Sequence, residues 1–187
     1  MSDARHRRTR QALFDALDAL LAERPYREIN VTDLSLRAAV GRQTFYRHFD
    51  SIDAMLKERL RASLAHQLAE AAEGPAEQGS ADWFRYVTRG AFERAAEQPH
   101  ISRVILRGEA GADALEEFRD QITALWALAP TGNPLATAPA ELRPFIASFH
   151  AGAIGAMLLH WIEAGCSPSP ETMSDLFTSL AHRARLD

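Results

Sequence analysis

Apolar residues recur along most of the chain at intervals of three and four residues, the spacing that places side chains on one face of an α-helix. One such stripe, near the N-terminus, comprises Leu13, Leu17, Leu20 and Leu21. Another, near the C-terminus, comprises Met173, Leu176, Phe177, Leu180 and Ala184. No segment alternates apolar and polar residues with the period of two that is typical of a half-buried strand. The pattern predicts an all-α protein of about nine helices.

Two very short helices joined by a tight turn are predicted within residues 31–49. A hydrophobic staple between Val31 and Leu36 would place an N-cap at Thr32, where the first of them should begin. The pattern breaks at Ala39-Val40-Gly41, where Gly41 can adopt turn dihedrals and serve as a modest N-cap for the next helix. A third helix follows from about residue 53, so the segment indicates a helix-turn-helix unit.

The second short helix, at about residues 42–48, separates apolar from polar side chains. Phe45 and Phe49 lie one turn apart and should be buried together. Outward positions carry Arg42, Gln43, Thr44, Tyr46, Arg47 and His48. Arginine and glutamine suit guanine and adenine edges, threonine suits a thymine methyl, and tyrosine or histidine suits a phosphate. We expect this helix to recognise DNA, with Thr32 as a further contact.

This segment resembles the N-terminal pattern of the TetR family of transcriptional regulators. The matching residues are Asp33, Leu34, Ala38, Val40, Thr44, Phe45, Tyr46, His48, Phe49, Ser51 and Asp53. The chain departs from the pattern at Ala39, where the family usually has a turn glycine, and at Gly41, where it usually has a serine cap. A third departure is Ile52, which replaces a lysine that typically meets a phosphate.

The resemblance implies two domains. Residues 1–52 would form a three-helix DNA-binding domain, and residues 53–187 a helical domain for effector binding and dimerisation. An amphipathic helix pair is, taken alone, more often only a solvated surface. Here the leucine stripe at residues 13–21 can brace the pair, which favours DNA binding. The alternative is a TetR-like co-regulator that acts through protein contacts without binding DNA, and the three departures from the pattern are its support.

Charge is divided unevenly along the chain. Residues 1–61 hold 12 basic against 9 acidic residues, a net charge of +3, whereas the remainder carries −7 and the whole chain −4. DNA contact should therefore be local and salt-sensitive. A basic N-terminal arm consists of Arg5, Arg7, Arg8 and Arg10. Such an arm suits the DNA backbone or minor groove, but it is equally common as a disordered tail.

The segment 145–162 contains no Asp, Glu, Lys or Arg, and its 18 residues reach the lower limit for a membrane span. We interpret it as a buried helix, because its small residues allow another helix to approach closely. In the TetR family the last two long helices pack against their copies in a second subunit. The resemblance implies a homodimer formed through about residues 141–164 and 170–184, and no membrane. Two recognition helices related by a twofold axis would read half-sites roughly 34 to 36 Å apart in a palindromic operator.

The resemblance also implies regulation, most commonly repression, that a small molecule relieves by binding the C-terminal domain. Candidate lining residues for an effector pocket are Phe84, Phe118, Trp126, Phe149, His150, Met157 and Trp161. Each of these residues could instead belong to the core or to a dimer interface, since spacing alone does not define a pocket.

Other classes of protein fit the sequence poorly. His150 and His160 would lie about 15 Å apart along one helix, too far to share a metal ion. The chain has no nucleophile elbow, phosphate-binding loop or dinucleotide fingerprint, so we expect no enzymatic activity, no cofactor and no metal. The single cysteine, Cys166, excludes an intrachain disulfide. With no secretion signal visible, we expect a cytoplasmic protein.

Overall fold

Helices account for nearly all the backbone of this computed structural model, which describes residues 2–74, 80–127 and 138–183. Within these ranges there are nine α-helices, a 3₁₀ turn at Tyr26–Glu28 and no strand, which confirms the predicted all-α fold. The helices are α1 (Ser2–Glu23), α2 (Val31–Arg37), α3 (Arg42–His48), α4 (Ile52–Glu73), α5 (Ala81–Glu97), α6 (Pro99–Leu106), α7 (Ala112–Ala127), α8 (Arg143–Glu163) and α9 (Pro170–Arg183). Ala184 of the predicted C-terminal stripe lies outside the described residues.

Helix α2 begins earlier than the sequence indicated. Its N-cap is Asn30, whose side-chain oxygen accepts the backbone N–H of Asp33 at 3.0 Å. The side-chain amide of Asn30 also donates to the Asp33 carboxylate at 2.8 Å, which adds a second hydrogen bond between the same two residues. Thr32, the predicted N-cap, instead lies inside the first turn. The predicted staple is also wrong, because the side chain of Leu36 is 81% exposed.

In the turn between α2 and α3, the residue with left-handed backbone dihedrals is Ala39 and not Gly41. Val40 N–H donates to the Ser35 carbonyl and Ala39 N–H to the Leu36 carbonyl, the paired bonds of a Schellman C-cap. This motif requires a left-handed residue, and that residue is Ala39, with φ of 52°. Gly41 has φ of −74° and serves as the N-cap of α3, as predicted. The position that favours glycine is therefore occupied by alanine.

One hydrophobic cluster joins the N-terminal helices to the middle of the chain. Leu13, Leu17 and Leu34 are fully buried in it beside Phe45 of α3. The same cluster includes side chains from α6, among them Ile101, and from the start of α7. The helix-turn-helix unit therefore rests on α6 as well as on its own three helices.

A second cluster fills the C-terminal half, between α5, α7, α8 and α9. Its largest buried side chains are Trp83, Phe92 and Trp161. The indole N–H of Trp83 donates to the Ala71 carbonyl of α4 at 2.7 Å, and that of Trp161 donates to the Pro168 carbonyl at 2.7 Å. Both indoles thus gain the hydrogen bond that a buried Trp requires.

Helix α8 is buried on one side only. Among the described residues it is the one helix long and apolar enough to cross a membrane by length and composition, and 39% of its apolar window is buried. Its inner side packs against α5, α6 and α7. Its outer side exposes Phe145 and Phe149, at 73% and 59%, while α9 exposes Leu176 and Leu180. Both final helices therefore present large apolar side chains to solvent.

Candidate nucleic-acid interface

Helix α3 is anchored by its aromatic residues. Phe45 is fully buried, and Phe49, at the C-terminal end of the helix, packs edge-on against Phe14 of α1 with ring centroids 5.7 Å apart. Tyr46 meets the edge of the Phe45 ring but remains 50% exposed. This packing fixes which side of α3 faces outward.

The outward side carries the residues that the sequence assigned to DNA recognition. Arg42, Gln43, Tyr46 and Arg47 are exposed, while Thr44 is half-buried. Neither Arg42 nor Arg47 forms an ion pair within the described part of the chain. Their guanidinium groups are thus available to base edges or phosphates. Thr32 is exposed on the first turn of α2.

His48 ends α3 in an unusual setting. Its ring lies against that of His6 from α1, tilted by 42° with centroids 4.2 Å apart, and its Nδ1 is buried with no hydrogen-bond partner among the described residues. Burial lowers the pKa of His48, and the nearby charges of His6, Arg10 and Arg47 lower it further. The setting therefore favours the neutral imidazole, whose protonated ring nitrogen can still donate to a phosphate.

The basic arm belongs to α1 and is helical over the described residues. Arg5, Arg7 and Arg8 are exposed. Arg10 is not part of the same surface, because it pairs with Glu58 of α4 at 2.7 Å and lies over the Phe49 ring at 4.6 Å. Arg10 thus connects α1 to α4 and to the C-terminal end of α3.

Sequence reasoning missed Ser35 of α2. The residue is 2% exposed, and its hydroxyl finds no hydrogen-bond partner among the described groups. A buried hydroxyl without a partner costs about 1 to 3 kcal/mol. The signal for this site was available in the sequence, as a polar residue on the inward side of α2.

A cavity of about 490 Å³ lies between α1 and the helices that follow the helix-turn-helix unit. Its wall combines Arg10 and Phe14 of α1 with residues of α4, α5, α6, α7 and α8. Phe118 is the predicted pocket residue that lines it. Among the helices of the helix-turn-helix unit, α1 lines the cavity, and the other lining residues come from α4 to α8.

The other predicted pocket residues are dispersed. Phe84 lines a separate pocket of about 30 Å³, and Phe149 is exposed on the outer side of α8. His150 and Trp161 are buried, and Met157 packs against the second cluster. The side chain of Trp126 lies outside the described residues. The structure does not bring these aromatic residues together around one space.

Polar groups of the cavity wall are mostly paired. Arg94 donates to the Glu70 carboxylate at 2.7 Å and, through Nε, to the Gln67 side-chain oxygen at 3.0 Å. Burial lowers the pKa of Arg94, and Glu70 opposes that shift. Arg59 lies over the Phe14 ring at 5.2 Å, and burial lowers its pKa as well.

Gln121 differs from the other polar groups of the wall, because it is 4% exposed and its Nε2 has no partner in the described structure. Sequence analysis did not single it out. It interrupts the apolar stripe of α7, which otherwise consists of Ala114, Phe118, Ile122 and Leu125.

The fold and this surface define a helix-turn-helix protein with an appended helical domain. Residues 13–58 match the family model described as bacterial regulatory proteins, tetR family, and residues 97–183 match the model described as transcriptional regulator C-terminal region. The chain belongs to the TetR family of transcriptional regulators, which confirms the resemblance identified from the sequence. A search of curated proteins finds no significant match.

Solved structures with similar folds cover nearly the whole chain. A TetR-family regulator from Syntrophomonas wolfei has a TM-score of 0.73 at 19% identity, over 92% of each chain. FadR from Bacillus subtilis, in complex with stearoyl-CoA, has a TM-score of 0.70 at 13% identity, over 95% of this chain and 99% of that one. FadR from Thermus thermophilus, in complex with lauroyl-CoA, has a TM-score of 0.64 at 18% identity, over 95% of each chain. At these identities the likeness is one of fold.

Proposed function

We propose that the protein is a sequence-specific DNA-binding repressor that binds a palindromic operator as a homodimer and is released by a small molecule. The observation that carries the proposal is α3. Phe45 anchors its apolar side in the hydrophobic core. The exposed side chains on the outward side are Arg42, Gln43, Tyr46 and Arg47. A short helix held in this way can enter the major groove and present donors to base edges.

The homodimer is supported by the apolar side chains that α8 and α9 expose. Phe145 and Phe149 lie four residues apart on α8, and Leu176 and Leu180 have the same spacing on α9. Spacing of four places each pair on one face of its helix. Two such helices meeting their copies would form a four-helix interface and relate the recognition helices by a twofold axis.

The release step is supported by contacts between α1 and α6. The Asp18 carboxylate of α1 accepts the backbone N–H of Ile101 in the first turn of α6, at 3.2 Å. Both helices also line the cavity, through Phe14 and Ile105. A molecule that binds better to one arrangement of α1 and α6 than to another would shift the population between them. The angle of the helix-turn-helix unit, and thus its fit to DNA, would change with it.

This function implies no catalysis and a cytoplasmic location, where the operator is accessible. The FadR structures in complex with stearoyl-CoA and lauroyl-CoA show that a similar fold can hold a ligand with a long acyl chain.

Selection of bound sequences from random duplex DNA, at two salt concentrations, tests the proposal. Enrichment of a palindrome with salt-dependent affinity is expected. The double variant Tyr46→Ala, Arg47→Ala should abolish enrichment while remaining folded and dimeric. Arg119→Ala removes an exposed arginine from α7 and should change nothing. Folded, dimeric wild-type protein that enriches no sequence would instead favour a co-regulator without DNA binding.

A further inference from the structure

The cavity beside α1 has a largely apolar wall and, among the described residues, one arginine without an ion-pair partner, Arg59 of α4. We propose that the cavity binds an apolar molecule with a single carboxylate, and that the Arg59 guanidinium donates hydrogen bonds to that carboxylate. This inference rests on the proposed function, because it names the chemical class of the effector.

The charged group of Arg59 lies at the cavity wall. Its guanidinium carbon lies over the Phe14 ring, 5.2 Å from the centroid, and both residues line the cavity. Arg59 is half-buried, but none of its nitrogens is sealed off from accessible space within the described structure. An incoming oxygen can therefore reach the guanidinium. This group stays charged at neutral pH and can hold a carboxylate through two parallel hydrogen bonds.

The other two arginines of the wall already have partners. Arg94 is paired with Glu70, and Arg10 is paired with Glu58, each at 2.7 Å. An anion that entered the cavity would have to displace a carboxylate of the protein at either of these positions. At Arg59 it would instead add a partner, so this side chain is the preferred contact.

Three carboxylates act on Arg59 from beyond ion-pair distance, those of Glu97, Asp15 and Asp18. Two of them are engaged elsewhere. Asp18 accepts the backbone N–H of Ile101 at 3.2 Å, and Asp15 accepts the side-chain amide of Gln11 at 2.8 Å. Burial lowers the pKa of Arg59, and the three carboxylates only partly oppose that shift. A carboxylate in the cavity would offset the remaining cost of burying this charge.

The rest of the wall suits an alkyl chain or ring. Its apolar side chains include Ile101, Ile105, Leu106, Phe118, Ile122 and Leu158. The volume of about 490 Å³ falls within the range of roughly 300 to 1,000 Å³ that is typical of small-molecule sites. Burial of the chain against these side chains would supply most of the binding energy, and Arg59 would select the head group.

The position of Arg59 also connects the ligand to the DNA-binding helices. Its contact with Phe14 joins α4 to α1, and these two helices flank α2 and α3 in the chain. A carboxylate bound at Arg59 would therefore lie beside both of them. Its binding could favour one arrangement of α1 and α4 over another, which is what release from DNA requires.

Isothermal titration calorimetry on the full chain, at neutral pH, tests the assignment with three probes. They are octanoate, 1-octanol and octylammonium, which share one alkyl chain length and differ in the charge of the head group. We expect octanoate to bind most tightly and octylammonium most weakly. Arg59→Gln should weaken octanoate binding about tenfold and leave 1-octanol binding unchanged. Arg59→Lys keeps the charge and should retain the preference for octanoate over 1-octanol.

A matched control is Arg119→Gln, because Arg119 is exposed on α7 and is not part of the cavity wall. It should leave the affinities for all three probes unchanged. The comparison of the probes in wild type does not depend on whether a variant folds, which circular dichroism measures. Octanoate that binds no more tightly than 1-octanol, or folded wild type that does not bind octanoate, would overturn the inference. A folded Arg59→Gln protein with the wild-type preference would also overturn it.

Operator selection on the same preparation separates the two claims. A protein that selects a palindrome but shows no preference for octanoate retains the proposed function and loses this ligand class. A protein that prefers octanoate through Arg59 but selects no sequence retains the site and loses the proposed function.

Discussion

Replacing Ala39 by glycine should stabilise the protein, because Ala39 is held in the left-handed region with φ of 52°. A residue with a Cβ pays about 1 to 2 kcal/mol for that conformation. Glycine avoids this cost but loses about 0.5 to 1 kcal/mol more through the greater freedom of its unfolded chain. The difference predicts a gain of about 0 to 1.5 kcal/mol, centred near 0.75 kcal/mol, in the free energy of unfolding for Ala39→Gly.

Urea unfolding followed by circular dichroism measures this change, with both proteins at one concentration so that any dimer contributes equally. Ala38→Gly is the matched control. Ala38 is adjacent in sequence, but its φ of −78° and ψ of −2° suit alanine. The same substitution there should lower stability by about 0.5 to 1 kcal/mol. If Ala39→Gly destabilises the protein as much as Ala38→Gly does, no strain resides at Ala39 and the reasoning fails.

Three further substitutions probe other features. Ser35→Ala removes a buried hydroxyl without a partner among the described residues and should raise the free energy of unfolding by about 1 kcal/mol. A loss of stability would mean that the hydroxyl does form a hydrogen bond in the folded protein. If the proposed homodimer forms through α8, Phe149→Asp should shift the protein towards monomer in sedimentation velocity, whereas Leu36→Asp, at a more exposed apolar residue, should not. Equal behaviour of the two variants would contradict the proposed α8 interface. Burial lowers the pKa of His150 to about 4 in the folded protein, whereas the unfolded chain has the ordinary histidine pKa of ~6.5. The resulting stabilisation of the fold is therefore complete above pH ~6.5 and is lost as pH falls towards 4. Wild type should therefore lose about 2 kcal/mol more than His150→Leu between pH 7 and pH 5, and parallel losses would show that His150 does not titrate in this way.

Features that depend on neighbouring residues could be predicted well from the sequence. Three local signals located the helix-turn-helix and the outward side of its second helix. They are the spacing of the apolar residues, the break near Gly41 and the aromatic pair of α3. The start of α2 was less certain because two capping residues, Asn30 and Thr32, lie two positions apart. Only the folded backbone determines that Asn30 reaches the amide of Asp33.

Features that depend on which helices meet were harder to predict. Periodicity shows that Trp161 and Phe149 lie on a helix, but it does not show that Trp161 is enclosed by α5 while Phe149 faces solvent. The cavity forms where α1, α4, α6 and α7 leave a gap, and residues distant in sequence line it. Gln121 gave a local signal, a glutamine within an apolar stripe, but its enclosure depends on the helices packed around it.

The shared core of the N-terminal half limits how this regulator could be recombined with others. Ile101 and Val104 of α6 are buried in the same cluster as Leu17 of α1, and Asp18 caps the first turn of α6. A hybrid that transferred residues 1–52 to a foreign sensor would uncover apolar surface on both fragments and leave Asp18 without its amide. Successful exchange would have to carry α6 along with the helix-turn-helix unit, or supply a substitute with the same apolar side and an N-terminus that Asp18 can cap. The part that could be transferred intact therefore consists of two stretches, the helix-turn-helix unit and α6, that are far apart in the sequence.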